Sequence, residues 1–385
     1  MKQEYKEGAF TKFLTQKASR LRVPLSSAFE LTPLCNMKCK MCYVTLNKQE
    51  CDKIGRHITV EEWLDIAQQA KDRGTLYLLL TGGEPFVYKD FKRLYLELFK
   101  MGFIISINSN ATLIDEDTVK WLKEYPPQRI NITLYGSSNE VYGNLCNNPK
   151  GFEQVTKAIN LLKEANINIK LNYTLTPYNS DDLEFAYKFA EENDLILQVS
   201  TYMFPPVRKD KSKVGQNDRY SPEEAAKFYV KSDLLFFEKE KFMKRAEMMK
   251  NGLLKISCSD LNSDCEIEKG RKVNCKAGKS LFWVTWDGRM LPCGMMNTPV
   301  SYPFRDGFDT AWKQIVDEVE KLYLPKECEN CKIRSACGSC GAIAYTETGR
   351  TDGKPEYMCK MTESIIEQTQ LKYKELRNIK EEGEH

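Results

Sequence analysis

Short apolar or alternating runs recur along the first half of the chain, and each is followed by a helical pattern. The candidate strands are Ala28–Thr32, Leu76–Leu80, Phe103–Asn108, Ile130–Leu134, Ile167–Leu175 and Leu195–Thr201. Their brevity and largely apolar character suit strands covered on both faces. Between the first two, Thr59-Val60-Glu61-Glu62 has capping-box form ahead of Trp63–Arg73: the hydroxyl accepts from the N3 backbone, and the N3 carboxylate reaches back. Ser221-Pro222-Glu223-Glu224 repeats the device with proline in the first turn, while Asp115 and Ser180 are placed to cap two more helices. Six alternating units predict an α/β fold, a parallel sheet wrapped by helices. Glu223–Lys250 predicts one amphipathic linking helix, and Ile365–Glu382 a charged closing helix. Asp287-Gly288, between Phe282–Trp286 and Met290–Leu291, predicts a hairpin turn.

The chemistry is carried by cysteine. Cys35-x3-Cys39-x2-Cys42 stands just past the apolar stretch Ser27–Leu34. Three thiolates can hold three irons of a cubane iron–sulfur cluster and leave the fourth iron open to a chelating molecule, whereas an electron carrier takes four cysteines. The spacing by itself also fits a zinc knuckle or buried thiols. Leu76–Leu80 runs into Thr81-Gly82-Gly83-Glu84-Pro85. Glycines there let backbone approach a ligand, and a carboxylate at the strand's C-terminal end could take an ammonium group; alone, the stretch is a tight turn. Both motifs fall where sites gather on parallel sheets.

Together, the triplet and this turn resemble the radical S-adenosylmethionine (SAM) enzymes. The resemblance implies a partial (β/α)6 TIM-like barrel and a [4Fe–4S] cluster on Cys35, Cys39 and Cys42, whose open iron is chelated by SAM. The reduced cluster then cleaves SAM to a 5′-deoxyadenosyl radical. Gly82, Gly83 and Glu84 are implied to bind the cofactor. Asn131-Ile132-Thr133-Leu134-Tyr135-Gly136 lies where many relatives read Ser-Leu-Asp-Gly, which assigns a cofactor hydroxyl to Thr133. Asn108-Ser109-Asn110-Ala111 resembles the Thr-Asn-Gly run after strand three, with Asn110 facing the cofactor. The chain departs from the pattern at Met41, where an aromatic residue usually packs by the adenine, and offers Tyr43 after the third cysteine instead. It also has Leu145-Cys146-Asn147 where relatives often carry an arginine.

A second cysteine-rich stretch reads Cys275-x12-Gly288-x4-Cys293, then Cys328-x2-Cys331-x5-Cys337-x2-Cys340 and Cys359. Such density marks ligands, and zinc is the competing metal on spacing alone. Downstream of a radical SAM core the arrangement resembles the SPASM extension, which holds two auxiliary [4Fe–4S] clusters; two residues, Gly338 and Ser339, stand where relatives more often have three. The resemblance sorts Cys328, Cys331, Cys337 and Cys359 to an outer cluster and Cys275, Cys293 and Cys340 to an inner one. The fourth inner ligand is Cys265, then Cys258, or an open iron.

Fourteen cysteines against two histidines, His57 and His385, exclude His-rich metal sites. No apolar signal segment follows Met1, and no stretch is apolar enough to span a bilayer, so a reducing, cytoplasmic setting without membrane attachment is expected. A net charge of +3 gives no ground for a nucleic-acid partner. The expected division is an N-terminal segment at 1–26, barrel core at 27–205, helical linker and rim loop at 206–264, SPASM domain at 265–360 and helical tail at 361–385. The residues ahead of the first strand are too few for the winged leader-binding domain of many peptide maturases. In the rim loop Arg208 or Arg219 could grip a substrate carboxylate, the alternative being a solvated basic loop. Cys51, Cys146 and Tyr202 are candidate hydrogen donors. The resemblance implies an oxidoreductase that modifies a peptide or protein residue and draws electrons from a flavodoxin- or ferredoxin-type donor. Oxidation of a small molecule, and a non-enzymatic zinc or iron–sulfur module, are the other readings.

Overall fold

The computed structural model describes residues 8–254, 272–273 and 275–382. Each of the six predicted strands is present: β1 Ser26–Glu30, β2 Tyr77–Thr81, β3 Ile104–Ser109, β4 Arg129–Thr133, β5 Ile169–Thr174 and β6 Ile196–Ser200. All six pair in parallel, each beside its sequence neighbour. Helices Val60–Asp72, Phe91–Lys100, Glu116–Glu124, Gly151–Glu164 and Leu183–Glu192 lie in the connections. Helical connections between neighbouring parallel strands cover the sheet, which is the partial-barrel α/β architecture expected.

The local devices explain where these helices begin. Thr59 and Glu62 form the reciprocal capping box, as do Ser221 and Glu224, and Asp115 accepts from the Thr118 N–H. Ser180 is a correction. It opens a 3-10 turn, the next helix starts at Leu183 without a side-chain cap, and the Ser180 hydroxyl instead accepts from Tyr220 at 2.6 Å. The single helix expected over Glu223–Lys250 is also corrected. It is two helices, Pro222–Phe236 and Lys239–Lys250, with Phe237 extended between them. Leu234 to Phe237 are consecutive and apolar, so one helical stripe cannot bury them all; the break turns Phe237 against Phe236 and under the Arg245 guanidinium.

The hairpin forms at Asp287-Gly288 from β7 Leu281–Val284 and β8 Met290–Leu291, and β7 pairs in parallel with β1. One eight-stranded sheet results, ordered β6-β5-β4-β3-β2-β1-β7-β8. Phe282, Val284 and Met290, with Phe308, Ala311, Trp312 and Ile315 of helix Phe308–Val319, share the barrel's core. A second core joins Tyr202, Ala225, Met249, Ile343, Met358 and Met361. The closing helix runs Glu356–Glu382, so it starts ahead of Cys359 and carries that thiol in its first turn. Among the described residues no helix is long and apolar enough to cross a membrane.

Candidate active site

Thr81, Ser109, Thr133, Thr174 and Ser200 are the last residues of β2 to β6, and all five line one cavity of about 340 Å³. Cys35, Cys39 and Cys42 line it too, with Met41, Tyr43, Gly82, Gly83 and Asn110. The loop that carries the thiols is held by the Gly-Gly turn. Gly83 N donates to Thr32 O at 2.7 Å and Glu84 N to Leu34 O at 3.0 Å. A Cβ on Gly82 would lie 2.4 Å from Thr32 O, and one on Gly83 would lie 2.4 Å from Leu34 O. The glycines therefore allow a close approach to the chain's own backbone just ahead of Cys35, besides facing the cavity. Gly83→Ala is expected to displace the Cys35 loop and reduce iron retained after reconstitution severalfold, read by iron assay alongside circular dichroism.

Cys35 feels both of the other thiols. Burial, then Glu84, Cys39 and Cys42, push Cys35 up to about 12, against the Met37 N–H that donates to its sulfur at 3.4 Å. Cys39 is held below its ordinary value by hydrogen bonds with the buried Cys146 thiol and with Tyr135. Backbone bonds Lys38 N to Cys146 O (2.9 Å) and Lys40 N to Leu145 O (3.0 Å) clamp that pair together. Cys42 takes the Thr45 N–H at 3.2 Å. Asn110 donates Nδ2 toward Cys35 Sγ at 3.7 Å and to Asn36 Oδ1 at 2.9 Å. Tyr43 is pushed up by burial, its environment containing Arg208, Glu30, Cys42 and Cys293.

Three expected roles are corrected. Glu84 does not line the cavity: it is fully buried, and its oxygens accept from Ser109 Oγ (2.8 Å), Asn110 N (2.7 Å) and Phe86 N (3.2 Å). Desolvation pushes it up to about 7. Its carboxylate ties the turn after β2 to the end of β3 and the turn that follows it. Arg208 is not free for substrate, since it grips Glu30 at 2.6 and 3.0 Å and the Gly294 carbonyl at 3.0 Å. Arg219 is paired with Glu347 at 2.6 and 2.8 Å and lies 3.6 Å from the Tyr357 ring centroid. Each guanidinium is neutralised by a buried carboxylate. Of the candidate hydrogen donors, Cys51 and Cys146 are buried away from the cavity, whereas Tyr202 lines it with its hydroxyl donated to Glu347.

Cys275, Cys293 and Cys340 line a second, smaller cavity of about 100 Å³ with Val273, Pro292 and Met296. Burial first, then Cys340 and Cys275, push Cys293 up to about 11. Burial, with Cys337 and Cys328, raises Cys359, and burial, with Cys337 and Cys331, raises Cys328. Cys337 Sγ accepts from Ser339 N at 3.4 Å and Thr362 Oγ1 at 3.5 Å. Cys258 and Cys265 lie outside the described residues. Sequence reasoning missed Tyr135, Ser109 and Glu30. Of these only Glu30 left a signal, a lone acid in the apolar run Ala28-Phe29-Glu30-Leu31.

Residues 29–190 match the model of the radical SAM superfamily. The AdoMet-dependent heme synthase of Methanosarcina barkeri (strain Fusaro / DSM 804) is 24% identical over 349 residues, covering 85% of this chain and 93% of its own. The antilisterial bacteriocin subtilosin biosynthesis protein AlbA of Bacillus subtilis (strain 168) is 23% identical over 335 residues, 85% of this chain and 68% of its own. Streptococcus suis SuiB bound to precursor peptide SuiA shares the fold, with a TM-score of 0.65 at 17% identity over 92% of this chain and 84% of that one.

Proposed function

We propose that this chain, a radical SAM protein by its domain at residues 29–190, is a SAM-dependent iron–sulfur oxidoreductase that modifies a residue of a peptide or protein. The observation that carries the reading is the convergence of Cys35, Cys39 and Cys42 on one cavity ringed by five strand ends. Cys35, Cys39 and Cys42 would hold a [4Fe–4S] cluster, which together with SAM would supply the radical chemistry that removes hydrogen from the substrate.

The donor set fits such a group. Burial and its neighbours raise Cys35, which holds its proton until a cationic core replaces it. The N–H groups of Met37 and Thr45 and the Asn110 amide are placed to stabilise thiolate on Cys35 and Cys42. Thr133 and Asn110 line the same cavity, placed for the polar groups of SAM, and Met41 and Tyr43 offer packing surface for its base. Gly82 and Gly83 expose backbone there. Tyr202, Met203 and Phe204 add mostly apolar surface to the wall.

By the same reasoning, Cys275, Cys293 and Cys340 hold an inner auxiliary cluster, with Cys265 the first candidate for its fourth ligand. Cys328, Cys331, Cys337 and Cys359 hold an outer one. The twelve described cysteines are free thiols, which supports a reducing cytoplasm and a flavodoxin- or ferredoxin-type donor. The similarity to the heme synthase favours a second reading, oxidation of a small molecule. A haem-type substrate carries carboxylates, however, and none of the described residues lining the cavity is charged; the similarity to AlbA and SuiB and the neutral wall place a peptide first.

Anaerobic reconstitution followed by dithionite and SAM is expected to release 5′-deoxyadenosine, and its absence would overturn the reading. Iron near twelve per chain, from about four in each cubane, is expected for three clusters; iron near four leaves only the first.

A further inference from the structure

β6 ends the sheet, and its outer edge borders a cleft of about 650 Å³. The Ser200 carbonyl accepts from Leu175 N at 2.9 Å on the β5 side. Backbone groups alternate sides along a strand, so Ile196, Gln198 and Ser200 serve β5, while Leu197 and Val199 turn their N–H and C=O outward. β6 has no fully buried residue, whereas each of β1 to β5 has at least three. Its sequence, Ile-Leu-Gln-Val-Ser, carries none of the prolines or charges by which proteins protect an open edge.

The opposite wall is built from Tyr229, Phe236 and Phe237 of the paired linker helices and Met358 and Met361 of the closing helix. Arg245 lies there too, paired with Asp233 at 3.4 Å, and its Nε has no hydrogen-bond partner among the described residues. The cleft adjoins the thiol cavity, since Ser200, Tyr202 and Phe204 line both.

We infer that β6 is a docking edge for an extended peptide, which pairs its backbone with Leu197 and Val199 and runs past Tyr202 and Phe204 into the cavity of Cys35, Cys39 and Cys42. Strand addition takes affinity from main-chain hydrogen bonds and selectivity from pockets for alternate side chains; an unprotected edge facing an aromatic wall supplies both. The residues shared by cleft and cavity make the occupant the substrate peptide, so the inference rests on the peptide-modifying reading.

The test pans a phage-displayed library of random peptides on the full-length, cluster-loaded protein under anaerobic conditions, then measures binding of the enriched peptide made synthetically. N-methylation along that peptide is expected to weaken binding about tenfold at every second residue and little between, the loss of one hydrogen bond at a time. Val199→Pro removes an outward N–H without breaking a β5 bond, a position where edge strands accept proline, and is expected to weaken binding by a similar factor. The N-methyl scan decides the matter even if that variant folds poorly. A bound peptide showing no two-residue period overturns the docking edge and leaves the proposed function standing. A protein that forms 5′-deoxyadenosine yet enriches no peptide overturns both the edge and the peptide substrate. A concentration-dependent dimer lost in Val199→Pro gives the edge to a second copy of the chain and overturns the inference.

Discussion

Cys35→Ala is expected to abolish 5′-deoxyadenosine formation, by at least about 10³-fold, a small part of the acceleration enzymes supply. Cys359→Ala is expected to retain SAM cleavage but lose modified product. The asymmetry comes from where the two thiols sit. Cys35 follows the segment Thr32–Leu34 that Gly83 and Glu84 hold by backbone bonds, and it shares the cavity with Cys39 and Cys42. Removing it leaves two thiols for a group that needs three. Cys359 rides in the first turn of the closing helix, among Cys337 and Cys328, and lines neither the thiol cavity nor the β6 cleft. Its loss strips a ligand from a remote set and leaves the barrel's strand ends untouched. Chromatography of the nucleoside, iron quantitation and mass analysis of the peptide separate the cases. Normal product formation by Cys359→Ala would remove any role for the outer cysteines.

The barrel and the first cysteine cavity were legible because their signals are local. Apolar runs of five or six residues, caps with their acids three residues on, and a triplet of thiols after a strand all act within a few residues of themselves. What was illegible depends on partners far along the chain. Arg208 sits in a basic loop that reads as solvated, and nothing near it announces Glu30, which is 178 residues away. Nor does the hairpin say that β7 will pair with β1 and extend the barrel sheet. Glu84 was assigned a ligand because a carboxylate beside glycines looks available. The three donors that occupy it come from its own turn and from the turn after β3. Ser180 failed as a cap for a similar reason. The adjacent Asn179 orders that turn by accepting from Thr176 N and Oγ1, and Tyr220 claims the serine.

The misread arginine yields the largest expected loss of stability. Arg208→Ala should cost about 3–5 kcal/mol, the range for breaking one side of a buried ion pair. Glu30 and Arg208 side chains are only 1% and 6% exposed, so removing the guanidinium strands a carboxylate with the Trp283 indole N–H, at 2.9 Å, as its remaining donor. The site joins three parts of the chain: the last residue of β1, the loop after β6, and Gly294 beside Cys293. Arg208 also lowers Cys293 electrostatically, so the variant should hold the inner thiol set less well in addition to melting early. A fall of about 4–6 °C in the melting temperature is expected from a loss of that size in a chain of 385 residues. Arg208→Lys should recover only part of it, since an ammonium cannot reproduce the two-pronged grip on Glu30 together with the bond to the Gly294 carbonyl. Arg208→Met combined with Glu30→Leu should recover more, because neither charge is then left buried. The exposed pair Arg73–Asp309, with side chains 58% and 57% accessible, supplies the contrast: Arg73→Ala should change stability by less than about 1 kcal/mol. If Arg208→Ala melted with Arg73→Ala, the buried pair would not be what fastens the hairpin and its cysteine to the barrel.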